Sequence, residues 1–349
     1  VSAFHQTAVP INLKPPDVNQ GILRPQVSIE TSSYAYVMYT SGSTGQPKGV
    51  SITHGNLLSS TLARISYYPQ HPGSFLLMSS HGFDSSIAGI FWTLSTGGTL
   101  VLPPHRIEQD MSVLSEMIDK HQVTHTLMLP SLYNVLLQHG ITERLKSLTT
   151  VIVAGESCSP KTIENHFRYL PQAQLYNEYG PTEATVWSTV HQIKESDGEA
   201  LVPIGKPISN SRIYILDQNL NLVPAGVIGE IYVSGEGISS GYLNLPKLTR
   251  SRFIPSPFEE EQGVTLYKTG DLGRYLEDGT IEFIGRADQQ IKLRGFRMEP
   301  DEINNALMKF QGVKESAVTL KYPAKATEPE YTASVDELVE LLENLNPSK

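Results

Sequence analysis

The chain has 349 residues, 39% hydrophobic and 18% charged, the balance of an ordinary folded protein with length for two or three buried cores. A formal net charge of −9 argues against nucleic acid or an anionic membrane as the main partner, and no apolar run reaches the length of a membrane span. The single cysteine, Cys158, excludes an internal disulfide framework, and together with a leading segment unlike a signal peptide it suggests the cytoplasm.

Residues 1–33 carry prolines and polar residues with little periodicity and read as a connector. From residue 34 to about 199 strand-like and helix-like runs alternate, the pattern of an α/β layer. Within it, Asn56 is placed to cap a helix running through Leu57, Leu58, Leu62 and Ile65, and a second amphipathic helix spans residues 111–121. His121 and His125 are four apart, but Val123 and Thr124 between them point to a turn entering a strand rather than to a metal site. Val151-Ile152-Val153 reads as a short buried strand. The segment around Cys158 lacks the second glycine of a nucleophile elbow, so Ser159 ahead of Pro160 reads as a helix cap. Between about 200 and 287 short strands at 212–216, 230–233 and 280–284 alternate with Pro/Gly/Asn/Asp turns, which suggests a small β-barrel. A third piece over 288–325 holds a helix at 300–309 and a strand at 317–320. Residues 326–349 follow as a linker and a tail helix, where Ser334 and Glu337 form a capping box ahead of an apolar stripe.

Four stretches carry chemistry. YTSGSTGQPKG at 39–49 follows a strand-like run with a loop in which glycines let backbone N–H groups approach phosphate oxygens. Thr40, Ser41, Ser43 and Thr44 add hydroxyl donors beside Gly42 and Gly45, and Lys48 supplies a movable positive charge. The spacing is not that of a Walker loop. In NEYGPTE at 177–183, Tyr179 is suited to stack on a purine, Asn177 to bind its edge and Thr182 to bind a phosphate oxygen. Glu183 offers one hard carboxylate of the kind Mg²⁺ accepts alongside phosphates. YKTGD at 267–271 places Asp271 in a tight turn suited to the two hydroxyls of a ribose. The fourth stretch is GRADQQIKLRG at 285–295, a charged strand leaving the barrel.

Together with FDSS at 83–86, GEIYVSGEGISSGYLN from 229 and GRADQQIKLRGFRMEP from 285, these motifs stand in the order found in a known family. Over roughly residues 40–310 the chain resembles the adenylation domains of nonribosomal peptide synthetases, within the acyl-adenylate-forming enzymes that include acyl-CoA synthetases and luciferase. The resemblance implies a large α/β core with a β-barrel, followed by a mobile C-terminal lid. It implies ATP and Mg²⁺ as cofactors and an amino acid as substrate. A carboxylate attacks ATP to give an acyl-AMP, and the phosphopantetheine thiol of a peptidyl carrier protein then takes the acyl group. Carried over by motif, Thr40 to Lys48 would wrap the β- and γ-phosphates, Thr182 would meet the α-phosphate and Glu183 would hold Mg²⁺. Asn177 and Tyr179 would contact adenine, Asp271 the ribose and Arg286 the nucleotide oxygens, with Asp288 as the hinge of the lid. Asp84, beside Phe83, would pair with an α-ammonium group. The remaining lining would be Ser85, Ala88, Leu127, Ile152, Ala154, Glu178, Val186 and Trp187. Glu178 would either meet a basic or hydroxylated substrate side chain or point to solvent.

Two departures matter. Only 39 residues precede Thr40, where family members have well over a hundred, and the late Gly-Lys motif whose lysine meets the substrate carboxylate is not found. A free-standing acyl-CoA synthetase and a nucleotide-binding scaffold joined to a methyltransferase or ketoreductase are the alternative readings, and an MbtH-like protein is a partner on family grounds.

Overall fold

A computed structural model describes residues 28–42, 47–199, 201–258, 261, 263–288, 290–293, 296–307, 313, 316 and 318. The chain divides into two units, Val1–Glu30 and Thr31–Lys349. Most of the expected connector, the strand at 317–320 and the tail helix fall outside the described residues.

The second unit opens with an antiparallel pair, β1 (Tyr34–Thr40) and β2 (Lys48–Thr53), in which Thr40 stands opposite Lys48 across the mouth of the glycine-rich loop. Helix α1 (His54–Tyr67) follows at once. Its N-cap is Thr53, not Asn56: the Asn56 N–H donates to Thr53 Oγ1, and Asn56 Oδ1 accepts from the Thr53 N–H, a reciprocal capping box. The buried face also differs from expectation. Leu57 is buried, but Leu58 and Leu62 are exposed, and the helix turns Ser60, Ala63 and Arg64 inward.

The chain then alternates as β3 (Ser74–Leu77), α2 (Ser85–Ser95), β4 (Thr99–Val101), α3 (Met111–Lys120), β5 (His125–Met128), α4 (Pro130–His139), β6 (Thr150–Ala154), α5 (Pro160–Tyr169) and β7 (Gln174–Tyr179). It continues into β8 (Thr189–Gln192) and β9 (Lys206–Pro207). These strands form one seven-stranded sheet in the order β4-β3-β5-β6-β7-β8-β9, parallel from β4 to β7 and antiparallel at the last two pairings. Ser159 caps α5 as expected, accepting from the Thr162 N–H.

Parallel strands covered on both sides are apolar on both sides, and successive residues serve opposite layers. Val151 and Val153 join Leu76, Met128, Tyr133 and Leu175 in one core. Ile152 joins Phe75, Leu127, Tyr176, Trp92 and Trp187 in another. Two buried histidines pack against members of these cores. His166 receives the Tyr133 hydroxyl at Nδ1 (2.7 Å) and donates from Nε2 to the Ala173 carbonyl (3.0 Å), which fixes a neutral ring. His125 packs edge-on against Trp92. Burial lowers both histidines to about 4.

Where the sequence suggests a small barrel, five antiparallel strands occur: β10 (Ser211–Leu216), β11 (Gly229–Gly235), β12 (Phe253–Pro255), β13 (Thr265–Tyr275) and β14 (Ile281–Arg286). Their order is β10-β11-β13-β12, with β14 also paired to β13, and helix α6 (Pro246–Arg252) precedes β12. After Asp288 come a hairpin, β15 (Ile291–Leu293) with β16 (Phe296–Met298), and helix α7 (Pro300–Leu307). No described helix is long and apolar enough to cross a membrane.

Candidate active site

The parallel strands of an open α/β sheet deliver ligand-binding residues at their C-terminal ends. Here β7 ends at Tyr179, and the chain turns through Gly180-Pro181 into a short 3₁₀ turn, Thr182–Ala184. Gly180 is required by packing: a Cβ there would lie 2.4 Å from Trp187 Cα. Thr185 and Val186 then take left-handed backbone conformations, φ 56° and 79°, unusual for β-branched residues. The turn is held nonetheless, because Thr185 Oγ1 donates to the Gly237 carbonyl (2.6 Å) and the Ser60 hydroxyl donates to the Thr185 carbonyl (2.9 Å). Backbone strain of this kind costs about 1–3 kcal/mol and gathers at functional turns.

Two polar clusters flank this turn. In the first, Glu183 is fully buried and its Oε1 lies 3.2 Å from Lys48 Nζ. The Tyr242 hydroxyl donates to the same oxygen (2.7 Å) and accepts from Lys48 Nζ (3.3 Å), while the Lys48 ammonium also sits over the Tyr242 ring. Lys48, expected as a movable charge on a loop, is thus a buried cation in a three-residue latch. Burial and the neighbouring Glu183 carboxylate push the Tyr242 hydroxyl far up, so it stays a donor.

In the second cluster the Tyr179 hydroxyl donates to Asp271 Oδ2 (2.5 Å), and Arg286 Nη1 donates to Asp271 Oδ1 (2.5 Å). The other side of the same guanidinium forks onto Asp288, Nε to Oδ1 at 2.6 Å and Nη2 to Oδ2 at 2.7 Å. Burial works to raise the Asp288 carboxyl, but Arg286 overrides it and holds the group below the usual carboxylate range. Gly270 makes room for this fork: at φ +79° it is left-handed, and a Cβ would lie 2.8 Å from Arg286 Nη2. The two clusters adjoin. Tyr179 and Glu183 are four residues apart, and Tyr267, whose hydroxyl is 3.5 Å from that of Tyr242, lies four residues before Asp271 on β13.

Of the phosphate loop, Ser43, Thr44 and Gly45 lie outside the described residues, while Thr40, Ser41 and Gly42 stand at its entrance. Thr40 Oγ1 is buried with no hydrogen-bond partner among the described residues. The Asn177 side chain, expected at an adenine edge, is buried and its amide donates instead to the Pro203 carbonyl (2.8 Å).

The expected substrate lining is largely gathered in one place. Ala88, Leu127, Ile152, Ala154, Val186 and Trp187 share the second apolar core, with Ala154 opposite Glu178 in the β6/β7 register. Phe83, Asp84 and Ser85 form the entry to α2, with the Ser85 hydroxyl on Ser79 (2.8 Å). Tyr36 on β1 faces this entry. Its hydroxyl is buried without a described partner, and burial together with the Asp84 carboxylate pushes it far up. Glu178 contradicts the solvent-facing option read from sequence. It is buried, and Arg64 binds it in a fork, Nη1 to Oε1 at 2.5 Å and Nη2 to Oε2 at 2.8 Å. The Tyr68 hydroxyl also donates to Oε1. Burial alone would lower the Arg64 guanidinium, and Glu178 reverses the direction.

Sequence reasoning missed Arg64, Tyr68 and Tyr242. Arg64 and Tyr68 lie in no motif, Tyr242 lies in one that was given no role, and each reaches its carboxylate from 59 to 114 residues away. The one available signal for Arg64 was a lone cation among the small residues of a helix face.

Among the described residues no three His, Cys, Asp or Glu side chains converge as a metal cage. Mg²⁺ asks for less, since one or two carboxylates suffice beside substrate phosphates, and a buried Glu183 next to the phosphate loop fits that donor set.

Comparison with known proteins agrees with this geometry. The family model described as AMP-binding enzyme matches residues 3–243. A plipastatin synthase of Bacillus subtilis (strain 168) is 39% identical over 321 residues, covering 90% of this chain and 9% of that protein. Bacitracin synthase 3 of Bacillus licheniformis is 44% identical over 289 residues, covering 82% of this chain and 4% of that protein. The chain therefore spans less than a tenth of the length of these curated relatives. Among solved structures, PA1221, a nonribosomal peptide synthetase protein containing adenylation and carrier (PCP) domains, superposes with a TM-score of 0.76 at 29% identity. That match covers 86% of this chain and 60% of the other. The Vibrio cholerae adenylation domain AlmE, solved with glycyl-adenosine-5'-phosphate, gives 0.76 at 29% identity and covers 85% and 56%.

Proposed function

This chain belongs to the AMP-binding enzyme family, as an adenylation domain of the nonribosomal peptide synthetase type, and we propose that it activates an amino acid with ATP. The observation that supports this reading most is the adjacency of the Lys48–Glu183–Tyr242 latch to the Tyr179–Asp271–Arg286 cluster, one suited to phosphates and the other to a nucleoside.

The substrate carboxylate oxygen attacks the α-phosphorus of ATP, the Pα–O bond to the β-phosphate breaks, and pyrophosphate leaves with that electron pair. An aminoacyl-AMP remains. Most of the catalysis asked of the protein is positioning and stabilisation of charge on the transferring phosphorus. Thr40 and the loop that follows it hold the β- and γ-phosphates, and Thr182 meets the α-phosphate. Lys48 exchanges its carboxylate partner for phosphate oxygens. Glu183 would hold Mg²⁺, which when bound would neutralise phosphate charge. Asp271 accepts from ribose hydroxyls, and Arg286 meets nucleotide oxygens. Asp84 takes the α-ammonium group, which distinguishes an amino acid from a fatty acid. The acyl group then passes to the phosphopantetheine thiol of a carrier protein, with rotation of the lid about Asp288 separating the two steps. On family grounds the setting is the cytoplasm, and an MbtH-like protein and an adjoining methyltransferase or ketoreductase are the further partners.

The test is amino-acid-dependent exchange of labelled pyrophosphate into ATP over the proteinogenic amino acids, with keto, hydroxy and fatty acids as controls. Exchange driven by one or a few amino acids is the expected result. AMP binding without exchange under any acid would reduce the chain to a nucleotide-binding scaffold.

A further inference from the structure

The Glu178 carboxylate has its lone pairs directed at a cation, and the cation is already inside the protein. Arg64 reaches it from α1 across 114 residues of sequence, and both side chains are 2% exposed. The fork uses both carboxylate oxygens, and Tyr68 adds a third donor on Oε1. The guanidinium is also boxed in, 4.2 Å from the Trp187 ring centre and within 6 Å of those of Tyr68 and Trp92. A planar, delocalised cation stacked on aromatic faces and forked onto a carboxylate is held in one orientation, unlike a lysine ammonium on a flexible stem. Glu178 lies opposite Ala154 at the end of β7, and Trp187 belongs to the same apolar core as Ala88, Leu127 and Ile152.

We infer that Arg64 is a specificity-determining residue: it fills, from within the fold, the place a cationic substrate side chain would take against Glu178, and so excludes amino acids with cationic side chains. The inference rests on the amino-acid activation proposed above. Its physical content is competition for one carboxylate. A lysine, ornithine or arginine side chain entering beside Trp187 would meet a carboxylate already neutralised, and would itself be a desolvated cation next to a second one. Removing the internal cation reverses the situation, because the orphaned carboxylate then favours a ligand that brings a positive charge.

The experiment uses stable aminoacyl-sulfamoyl adenosine analogues carrying leucine, tyrosine, lysine or ornithine, titrated calorimetrically into the protein and its variants. The parent is expected to bind one or both neutral analogues and neither basic one. Arg64→Met, which keeps the stacked stem but not the charge, is expected to raise the affinity for the basic analogues relative to the neutral ones by about tenfold or more. Arg64→Lys, which keeps a cation, is expected to keep the parent's exclusion. If the parent prefers a basic analogue, the inference is overturned while amino-acid activation stands. If no analogue binds but AMP does, the underlying reading fails. Should Arg64→Met not fold, the double variant Arg64→Met/Glu178→Met removes both charges together and is expected to keep the neutral profile. A double variant that gains the basic analogues would overturn the inference, as would a folded Arg64→Met with the parent's profile.

Discussion

Glu178 and Glu183 sit on either side of one turn, each in a buried ion pair, and the two pairs are built differently. Arg64–Glu178 is a fork with two short contacts, boxed by Trp187, Tyr68 and Trp92. Lys48–Glu183 is an ammonium–carboxylate pair at 3.2 Å that Tyr242 bridges, with the lysine opposite Thr40 at the mouth of the glycine-rich loop. An ammonium ion on a four-carbon stem can change partners at small geometric cost, whereas a stacked guanidinium fork cannot. The first pair is therefore built as a wall, and the second as a latch that, under the proposed function, nucleotide would open. Burial alone does not distinguish the two pairs; the shape of the cation, a planar fork or a point charge on a flexible stem, does.

The largest effect that would break this comparison lies in the wall. Arg64→Ala or Glu178→Ala leaves an uncompensated buried charge and is expected to lower the unfolding free energy by about 3–5 kcal/mol in urea denaturation. An equal loss from Lys48→Ala would mean that the two pairs are not different in kind. The latch is expected to show the converse balance. Lys48→Ala loses less stability than Arg64→Ala, but slows pyrophosphate exchange by about a hundredfold or more, the scale for removing a transition-state charge contact.

Acid separates the wall from its surroundings. His125 abuts Trp92, part of the Arg64 box, and both His125 and His166 are lowered to about 4. Between pH 6.5 and about 4 the unfolded chain binds protons that the native one refuses, so stability is full above that window and falls as pH drops through it. The slope is about 1.4 kcal/mol per pH unit for each histidine, read from urea midpoints across the range.

Smaller effects sharpen the nucleotide side. Asp271→Asn removes the charge shared by Tyr179 and Arg286 but leaves the Asp288 fork, so the fold is kept and AMP affinity drops by about tenfold in calorimetry. Tyr242→Phe deletes only the hydroxyl that bridges the closed pair and is expected to cost about 1 kcal/mol of stability in urea denaturation, with the aromatic contact to Lys48 retained.

Much of this was legible in the sequence, for identifiable reasons. The α/β alternation follows from apolar periods and turn residues that are local, and the motifs at 39–49, 177–183, 267–271 and 285–295 are each contiguous. Tyr179, Asp271, Arg286 and Asp288 accordingly meet in one cluster. What sequence could not provide were partners set by tertiary register. Glu178 reads as a candidate ligand group until Arg64 arrives from a helix 114 residues away. Asn177 reads as a base contact until the neighbouring Pro203 carbonyl claims its amide. The α1 cap was misassigned by three residues because Thr53 and Asn56 are both cap formers and share one box, and Leu58 and Leu62 face outward because the helix buries its small residues against the sheet.

The most direct test of the central claim is the fate of a heavy-oxygen label placed in the carboxylate of the amino acid that drives exchange. With ATP and a thiol acceptor the account predicts AMP carrying one labelled oxygen, unlabelled pyrophosphate and an acyl thioester, because the carboxylate attacks the α-phosphorus and the bridging oxygen departs with AMP. Label in inorganic phosphate, with ADP as the nucleotide product, would place the attack on the γ-phosphorus and contradict the account.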